Sequence, residues 1–357
     1  ELGMKFTVGI LEGDDIGLEV VPECVKIMKA AASETGLEID WRPLPIGVKA
    51  HESHGHTMPD MMLEALNDVH GFIQGPIGHA AYPRNDPTWV NPGLRKKRNL
   101  FASVKPVKSY ANLPSIHKGI DIVFLREVSE GLQGSTVTVA GTGEFRPNDE
   151  ITIATRIITR TGSRRVIREA FEIARTRERK KVTVVHKDAV YKLACGMFME
   201  EGRKLAVEYP DVEFDDIHID TIAMKLVMEP QIYDVVVTTN QFGDILTDLG
   251  AGLVGGLGLA PGLCVGYDQA MAQATHGSAP DIAGQNLANP YAMILSGKML
   301  LDWLGRKHNE PKAVEAAKLI DKAVDEVISD ATHLTADLGG AVGTREMGGA
   351  IAEKIAH

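Results

Sequence analysis

The sequence is poor in the features that mark several protein classes. It has only 3 cysteines in 357 residues, Cys24, Cys195 and Cys264, far apart, with no C-x-x-C spacing and no His/Cys cluster. Neither a disulfide framework nor a structural zinc site is expected, and a reducing cytoplasm is the default setting. No run approaches the roughly 18 apolar residues that a membrane span needs, and no signal-peptide pattern opens the chain. Positive charge is in deficit: 38 Lys+Arg against 48 Asp+Glu give a formal charge of −10. General affinity for nucleic acid, which needs basic surface to displace counterions, is not expected. The basic run Arg177-Glu178-Arg179-Lys180-Lys181 closes a helical pattern, where cations complement the helix dipole. Low-complexity stretches, Ser/Gly linkers and repeats are also missing, so any domain boundary is a crossing of the chain and not a floppy tether.

What is present is ordinary globular composition, 44% hydrophobic and 24% charged, long enough for a large core and two domains. Short β-rich runs alternate with longer helical patterns. Lys5–Leu11 is followed by helical spacing over Ile16–Ala32, and Gly71–Gln74, Asp121–Leu125, Val182–His186, Glu213–Ile219 and Asp234–Thr238 read as further buried strands. Helical stretches follow at Ala189–Glu208 and Phe242–Leu249. This alternation indicates an α/β fold with a largely parallel, doubly wound sheet. The rhythm breaks between Thr136 and Thr161, where two β-branched runs flank the polar turn EFRPNDE with no helix. A protruding hairpin that pairs with a partner subunit is expected there.

Residues 241–255, QFGDILTDLGAGLVG, hold two competing motifs. Gly250-Ala251-Gly252-Leu253-Val254-Gly255 matches the dinucleotide fingerprint, which requires a preceding strand, a helix opened by the glycines, and an acid about 20 residues on. The strand YDVVVTT ends well upstream, DILTDL intervenes as helix, and the next acid is Asp268. That context excludes a Rossmann motif and leaves the glycines to close helix packing and the exit of the helix. Asp244 and Asp248 stand four residues apart, so two like charges stack on one helix face at a cost of a few tenths of a kcal/mol. They form either a scattered surface pair or a site for a hard cation such as Mg²⁺ or Mn²⁺, which prefers carboxylates plus substrate oxygens. Their place just after a buried strand, where ligands bind in open α/β sheets, suits the second reading.

The segment Asn240-Gln241-Phe242-Gly243-Asp244-Ile245-Leu246-Thr247-Asp248 resembles the metal helix of the β-decarboxylating dehydrogenases: the isocitrate, isopropylmalate, homoisocitrate and tartrate/D-malate enzymes. Leu11–Val20 (LEGDDIGLEV) is similar to the opening strand–turn–helix of that family, and His276–Gly284 (HGSAPDIAG) with Asn289-Pro290 is similar to its adenosine-binding loop. In type the chain looks closest to 3-isopropylmalate dehydrogenase, with an atypical active site. The resemblance implies two α/β domains without a Rossmann motif. The large domain would comprise residues 1–100 and 255–357, and the small domain 101–254, carrying the metal helix and a dimerisation arm at about 134–161.

The resemblance also implies a reaction: oxidation of a 2-hydroxy acid by NAD, then loss of CO₂ with Mg²⁺ or Mn²⁺ stabilising the enolate. Asp244, Asp248 and Asp220 match the metal ligands, with Asp220 supplied by the partner subunit, so a homodimer with shared active sites is expected. Lys187 matches the lysine that abstracts the hydroxyl proton. Arg95 and Arg126 match carboxylate-binding arginines, and a third falls on Lys105, a point charge instead of a planar fork. In the loop, His276, Gly277, Ser278, Ala279, Asp281, Ile282 and Asn289 match cofactor contacts. The carboxylate of Asp281 suits two ribose hydroxyls and repels a 2′-phosphate, so NAD is expected over NADP.

Two departures bear on activity. Gln133 stands where the family has the tyrosine that protonates the enolate carbon, and a glutamine cannot act as a general acid. Ala189 replaces an asparagine two residues past the lysine. Asn91 and Trp89, in Thr88–Leu94, fall where the family reads the group on C3 of the substrate; Asn91 is polar, whereas Trp89 could cover an alkyl group. The favoured expectation is an isopropylmalate-like (2R)-malate. The alternatives are tartrate or D-malate, dehydrogenation without decarboxylation, and a non-catalytic regulatory homologue.

Overall fold

The computed structural model describes residues 4–82, 90–131 and 143–356. The chain opens with β1 (Phe6–Leu11), α1 (Gly17–Thr35), β2 (Ile39–Pro43), α2 (Gly47–His54), α3 (Asp60–Ala65) and β3 (Gly71–Gln74). It continues through α4 (Val90–Lys97), β4 (Leu100–Lys108), β5 (Asp121–Glu127), β6 (Glu144–Asn148), β7 (Ile151–Ala154), α5 (Arg160–Arg175) and β8 (Lys181–His186). Then follow α6 (Ala194–Glu208), β9 (Glu213–His218), α7 (Ile219–Met228), β10 (Val235–Thr238) and α8 (Asn240–Val254). The chain closes with β11 (Leu263–Gly266), β12 (Ala270–Ala272), α9 (Tyr291–His308), α10 (Pro311–Asp330) and α11 (Thr344–Ile355). This is the α/β alternation expected from the sequence. Most elements shift by a few residues at their ends, α8 extending to Asn240–Val254, and two departures are larger. The helix expected from Ala189 starts only at Ala194, because the chain after Lys187 first turns, with Val190 and Tyr191 donating their amides to the Lys187 carbonyl. The other is the division of the chain into units.

One compact unit comprises residues 1–93, 110–115 and 255–357, the other 94–109 and 116–254. The first crossing therefore falls at 93/94, where the sequence suggested about 101. Residues 110–115 rejoin the first unit because the Tyr110 hydroxyl bonds Tyr291 Oη at 2.8 Å and Asp325 Oδ1 at 3.0 Å.

In the first unit the strands run in the order β2-β1-β3-β12-β11, parallel except for β11 against β12. Helix α1 packs on α9, α10 and α11. It meets α9 closely at Gly297, where a Cβ would stand 2.4 Å from Cys24 Sγ and 2.7 Å from Met28 Sδ, so a larger residue would force those side chains to shift. The Cys24 thiol, buried there, is pushed up to about 12 and behaves as a small hydrophobe.

In the second unit the order is β4-β5-β10-β8-β9, with β4 antiparallel to β5 and the other neighbours parallel. The buried runs Val182–His186 of β8 and Val235–Thr238 of β10 are what a parallel strand covered on both faces requires. Since β5, β10, β8 and β9 point the same way, their carboxyl ends line one edge, where open α/β sheets bind ligands. The described part of the arm, β6 and β7, is a two-stranded antiparallel hairpin whose residues are all exposed, Phe145, Ile151 and Ile153 among them. No helix among the described residues is long and apolar enough to cross a membrane.

Candidate active site

The carboxyl edge of the second unit collects most of the charged residues singled out in the sequence. Arg126 is the last residue but one of β5 and stands in register with Thr238 at the end of β10. Its guanidinium is nearly buried: Nη2 donates to Asn240 Oδ1 at 2.7 Å, Nε to the same oxygen at 3.2 Å, and Nη1 to Asp244. Asn240 in turn donates Nδ2 to the Glu130 carbonyl at 2.8 Å, which fixes the head of α8 against the loop after β5. This approach depends on Gly243, where a Cβ would fall 2.7 Å from both Cβ and Cγ of Arg126.

Asp248 lies one turn beyond Asp244 on α8, exposed, with no hydrogen bond or ion pair among the described residues. The pair offers hard oxygen donors on one helix face, which suits Mg²⁺ or Mn²⁺. Lys105 stands opposite Phe124 on β4 and Ser103 opposite Arg126. Facing residues of an antiparallel pair share a side, so Lys105 and Arg126 occupy the same sheet face, about 7–8 Å apart on the diagonal. Arg95 sits on α4 one turn after Asn91.

Lys187 follows β8, and Asp220 lies in the first turn of α7 after β9. The Lys187 ammonium donates to Asp220 Oδ1 at 2.5 Å and holds that carboxyl below its usual range. Asp220 makes no side-chain cap of α7, whose N-cap position is His218, so capping does not explain it. No group of three metal-binding side chains among the described residues brings Asp220 together with Asp244 and Asp248.

The first unit holds the other half of the singled-out residues. Loop 276–289 is pinned from outside: Glu19 on α1 accepts the amides of Gly284 at 2.8 Å and Asn286 at 2.7 Å, and the Ser278 carbonyl accepts the Ile16 amide at 3.1 Å. Asn289 bonds the Tyr291 amide at 2.9 Å and Asp337 at 3.0 Å, so its side chain is committed to the loop itself. His276 Nδ1 donates to the Gly277 carbonyl at 3.0 Å, while Nε2 is sealed from solvent with no partner. Burial lowers the pKa of this imidazole, so it is neutral and Nε2 is an acceptor awaiting a donor. An adenine amino group would supply one, and the loop thus fits the adenosine of a dinucleotide. Gly277 has open space around it, and Asp281 and Ile282 reach solvent at the start of the following turn. Asn91 Oδ1 accepts from Gln74 Nε2 at 2.5 Å and Gln273 Nε2 at 2.9 Å, which turns its amide nitrogen away from both.

Comparison with known proteins gives the family. The model of the family described as isocitrate/isopropylmalate dehydrogenase matches residues 7–351. The chain belongs to the isocitrate/isopropylmalate dehydrogenase family. It is 38% identical over 351 residues to 3-isopropylmalate dehydrogenase of Methanothermobacter thermautotrophicus, covering 98% of this chain and 99% of that protein. It is equally 38% identical, over 359 residues and 99% of both chains, to isocitrate/homoisocitrate dehydrogenase of Thermus thermophilus. The crystal structure of isocitrate dehydrogenase from Methylococcus capsulatus superimposes with a TM-score of 0.86 at 39% identity, covering 99% of this chain and 100% of that one. The family is one of NAD- and metal-using decarboxylating hydroxy-acid dehydrogenases, and this chain is an oxidoreductase of that class.

Within this family member, Gln133, Trp89 and the first part of the arm lie outside the described residues. The glycine motif falls inside α8: Gly250 packs on Phe124, where a Cβ would come within 2.5 Å, and Gly255 takes a left-handed φ of 133° as the helix ends. One cluster of histidines is not visible in the sequence spacing. His186 and His218 end the neighbouring strands β8 and β9 in register, and with Asp188 they bring three ligand atoms within 4.8 Å of one another. Spacing cannot reveal it, because the register of two strands joins residues far apart in the chain; VTVVHKD and EFDDIHID, two strands each ending in histidine, were the available signal.

Proposed function

We propose that the protein catalyses NAD- and divalent-metal-dependent oxidative decarboxylation of a (2R)-malate that carries a substituent on C3. The observation that supports this reading best is the gathering of Arg126, Asp244, Lys187 and Asp220 at the carboxyl ends of four parallel strands. Arg126, Lys105 and Arg95 supply the cationic partners that two substrate carboxylates need. Lys187, at a strand end beside Asp220, takes the proton from the C2 hydroxyl once it has given up its own and stands as the neutral amine. Asp244 and Asp248 hold the dication, which when bound offsets the enolate charge as CO₂ leaves. The His276–Asn289 loop binds the NAD that accepts the hydride. Neither Asp220 nor Lys187 bonds to Asp244 or Asp248, and the exposed apolar hairpin β6–β7 offers pairing surface, so the site is completed by a second copy of the chain.

For the C3 group, the geometry favours oxygen over an alkyl chain. The Asn91 carbonyl is saturated by two glutamine amides, so what Asn91 presents is an N–H donor. A hydroxyl, as in tartrate, or a carboxylate accepts from it; an isopropyl group leaves it unpaired at a cost of about 1–3 kcal/mol. The isopropylmalate-like substrate expected from the sequence draws instead on Trp89. The test is a panel of malate, tartrate, isopropylmalate, isocitrate and homoisocitrate, each with both nucleotides and with CO₂ counted per NADH. Highest kcat/KM with an oxygen-bearing C3 group supports the reading, and highest kcat/KM with isopropylmalate refutes the polar pocket. Ligand binding without turnover on any member would identify a non-catalytic homologue.

A further inference from the structure

We propose a second metal site, of zinc class and separate from the aspartate pair of α8, formed by His186, Asp188 and His218. Asp188 Oδ1 stands 3.2 Å from His186 Nδ1 and 3.2 Å from His218 Nε2. Ligands 2.0–2.1 Å from a tetrahedral ion lie about 3.3 Å apart, so both edges already have the length such an ion imposes. The rings are nearly perpendicular, 84° with centroids 5.0 Å apart, which lets two nitrogens face one point without stacking.

The surroundings complete the case. Buried His186 shares its other nitrogen with Asp216 Oδ2 at 2.9 Å, the carboxylate–histidine arrangement that fixes the tautomer and presents the remaining nitrogen to a metal. Here that remaining nitrogen is Nδ1, on the Asp188 side. The side chains of Asp188 and His218 are about a third exposed, 36% and 37%, leaving the fourth position to water. Two imidazoles and one carboxylate suit Zn²⁺, Co²⁺ or Ni²⁺, whereas Mg²⁺ takes oxygen donors. The competing arrangement is a metal-free hydrogen-bond chain, in which the Asp188 amide donates to His186 Nδ1 at 3.2 Å and His218 to the Asp188 carboxylate. An ion here would clamp the ends of β8 and β9 together on either side of Lys187, whose neighbours in the chain are His186 and Asp188.

The experiment needs no turnover, so it stands whether or not the proposed reaction does. The full-length chain is stripped with chelator and titrated with Zn²⁺ by calorimetry and with Co²⁺ by visible absorption. One equivalent per chain giving intense four-coordinate Co²⁺ bands is expected besides any weaker uptake at the aspartate pair of α8, retained in Asp248→Asn and lost in His218→Ala. Asp188→Asn should weaken binding at least tenfold, and Asp216→Asn by roughly 10–100-fold through the second shell. Uptake by folded His218→Ala and Asp188→Asn variants equal to that of the unmodified chain overturns the proposal, as does no uptake by the unmodified chain. Should His218→Ala fail to fold, His218→Gln with Asp188→Asn carries the same test.

Discussion

Lys187 and Asp220 form an ion pair at 2.5 Å that joins the ends of adjacent strands β8 and β9, while Asp244 pairs with Arg126 at the other side of β10. Between β9 and β10 lie two strand spacings, roughly 10 Å. On the proposed reading Lys187 and Asp220 form one half-site and Asp244, Asp248 and Arg126 another. If the halves meet only across a dimer, Lys187→Met and Asp248→Asn should each abolish turnover, yet complement one another when co-expressed. Random pairing makes half the dimers mixed, each with one intact site of two, so activity should return to about a quarter of the unmodified level. No recovery would place the whole site within one chain.

The glycines of α8 separate a packing role from a phosphate-binding one. At Gly243 an alanine Cβ would collide with Arg126, and the helix bearing Asp244 would have to move off β5. Gly243→Ala should cost about 1–3 kcal/mol in stability by overpacking and weaken Mn²⁺ binding. Gly252, in the middle of the dinucleotide-like motif, has nothing within 4 Å. Gly252→Ala should therefore leave KM for NAD unchanged and raise stability by up to about 1 kcal/mol. Denaturant melts and cofactor titrations check both; a large rise in KM for NAD in Gly252→Ala would return the motif to the cofactor.

Periodicity sufficed for the strands of the second unit because parallel strands buried on both faces show as unbroken apolar runs such as Val235–Thr238. The same reasoning located Asp244 and Asp248, since their strand-end position and like-charge spacing are local facts. It could not foresee that Arg126 and Asp244 neutralise one another, nor that Asn91 is oriented by Gln74 and Gln273, because partners 118 and 182 residues apart are fixed by the fold. The crossing at 93/94 and the return of residues 110–115 escaped for the same reason: the Tyr110–Tyr291–Asp325 chain leaves no mark on sequence patterning.

Glu127, beside Arg126 at the end of β5, gives the fold a pH dependence. Burial pushes its carboxyl up to about 7, against the amides of Ser129 and Glu130 that lower it. A carboxyl whose folded pKa exceeds its unfolded value binds more protons when folded, so its contribution is fully present below about 4.5 and is lost as pH rises to about 7. The full span corresponds to about 3 kcal/mol. Stability measured by denaturant should therefore fall between pH 5 and 7.5, and Glu127→Gln should flatten that slope and be the more stable form at pH 8. An unchanged slope in the variant would mean that Glu127 ionises normally.

Asp281 should set the choice of nucleotide. It stands exposed at the start of the turn after Ser278, in a loop whose backbone is held by Glu19 and Asn289. A carboxylate in that place accepts two ribose hydroxyls and repels a 2′-phosphate, and because the loop is pinned from elsewhere, exchanging the side chain should not unfold it. Asp281→Lys combined with Ile282→Tyr replaces the repulsion with a cation and a hydroxyl. The ratio of kcat/KM for NADP over NAD should rise by at least about tenfold, or ~1.4 kcal/mol of discrimination, while the thermal midpoint stays within a few degrees. His276→Ala in the same background tests the adenine side of the loop: it removes the sealed Nε2 acceptor and should raise KM for both nucleotides alike. A double variant that loses NAD without gaining NADP, with His276→Ala silent, would place the cofactor elsewhere than this loop.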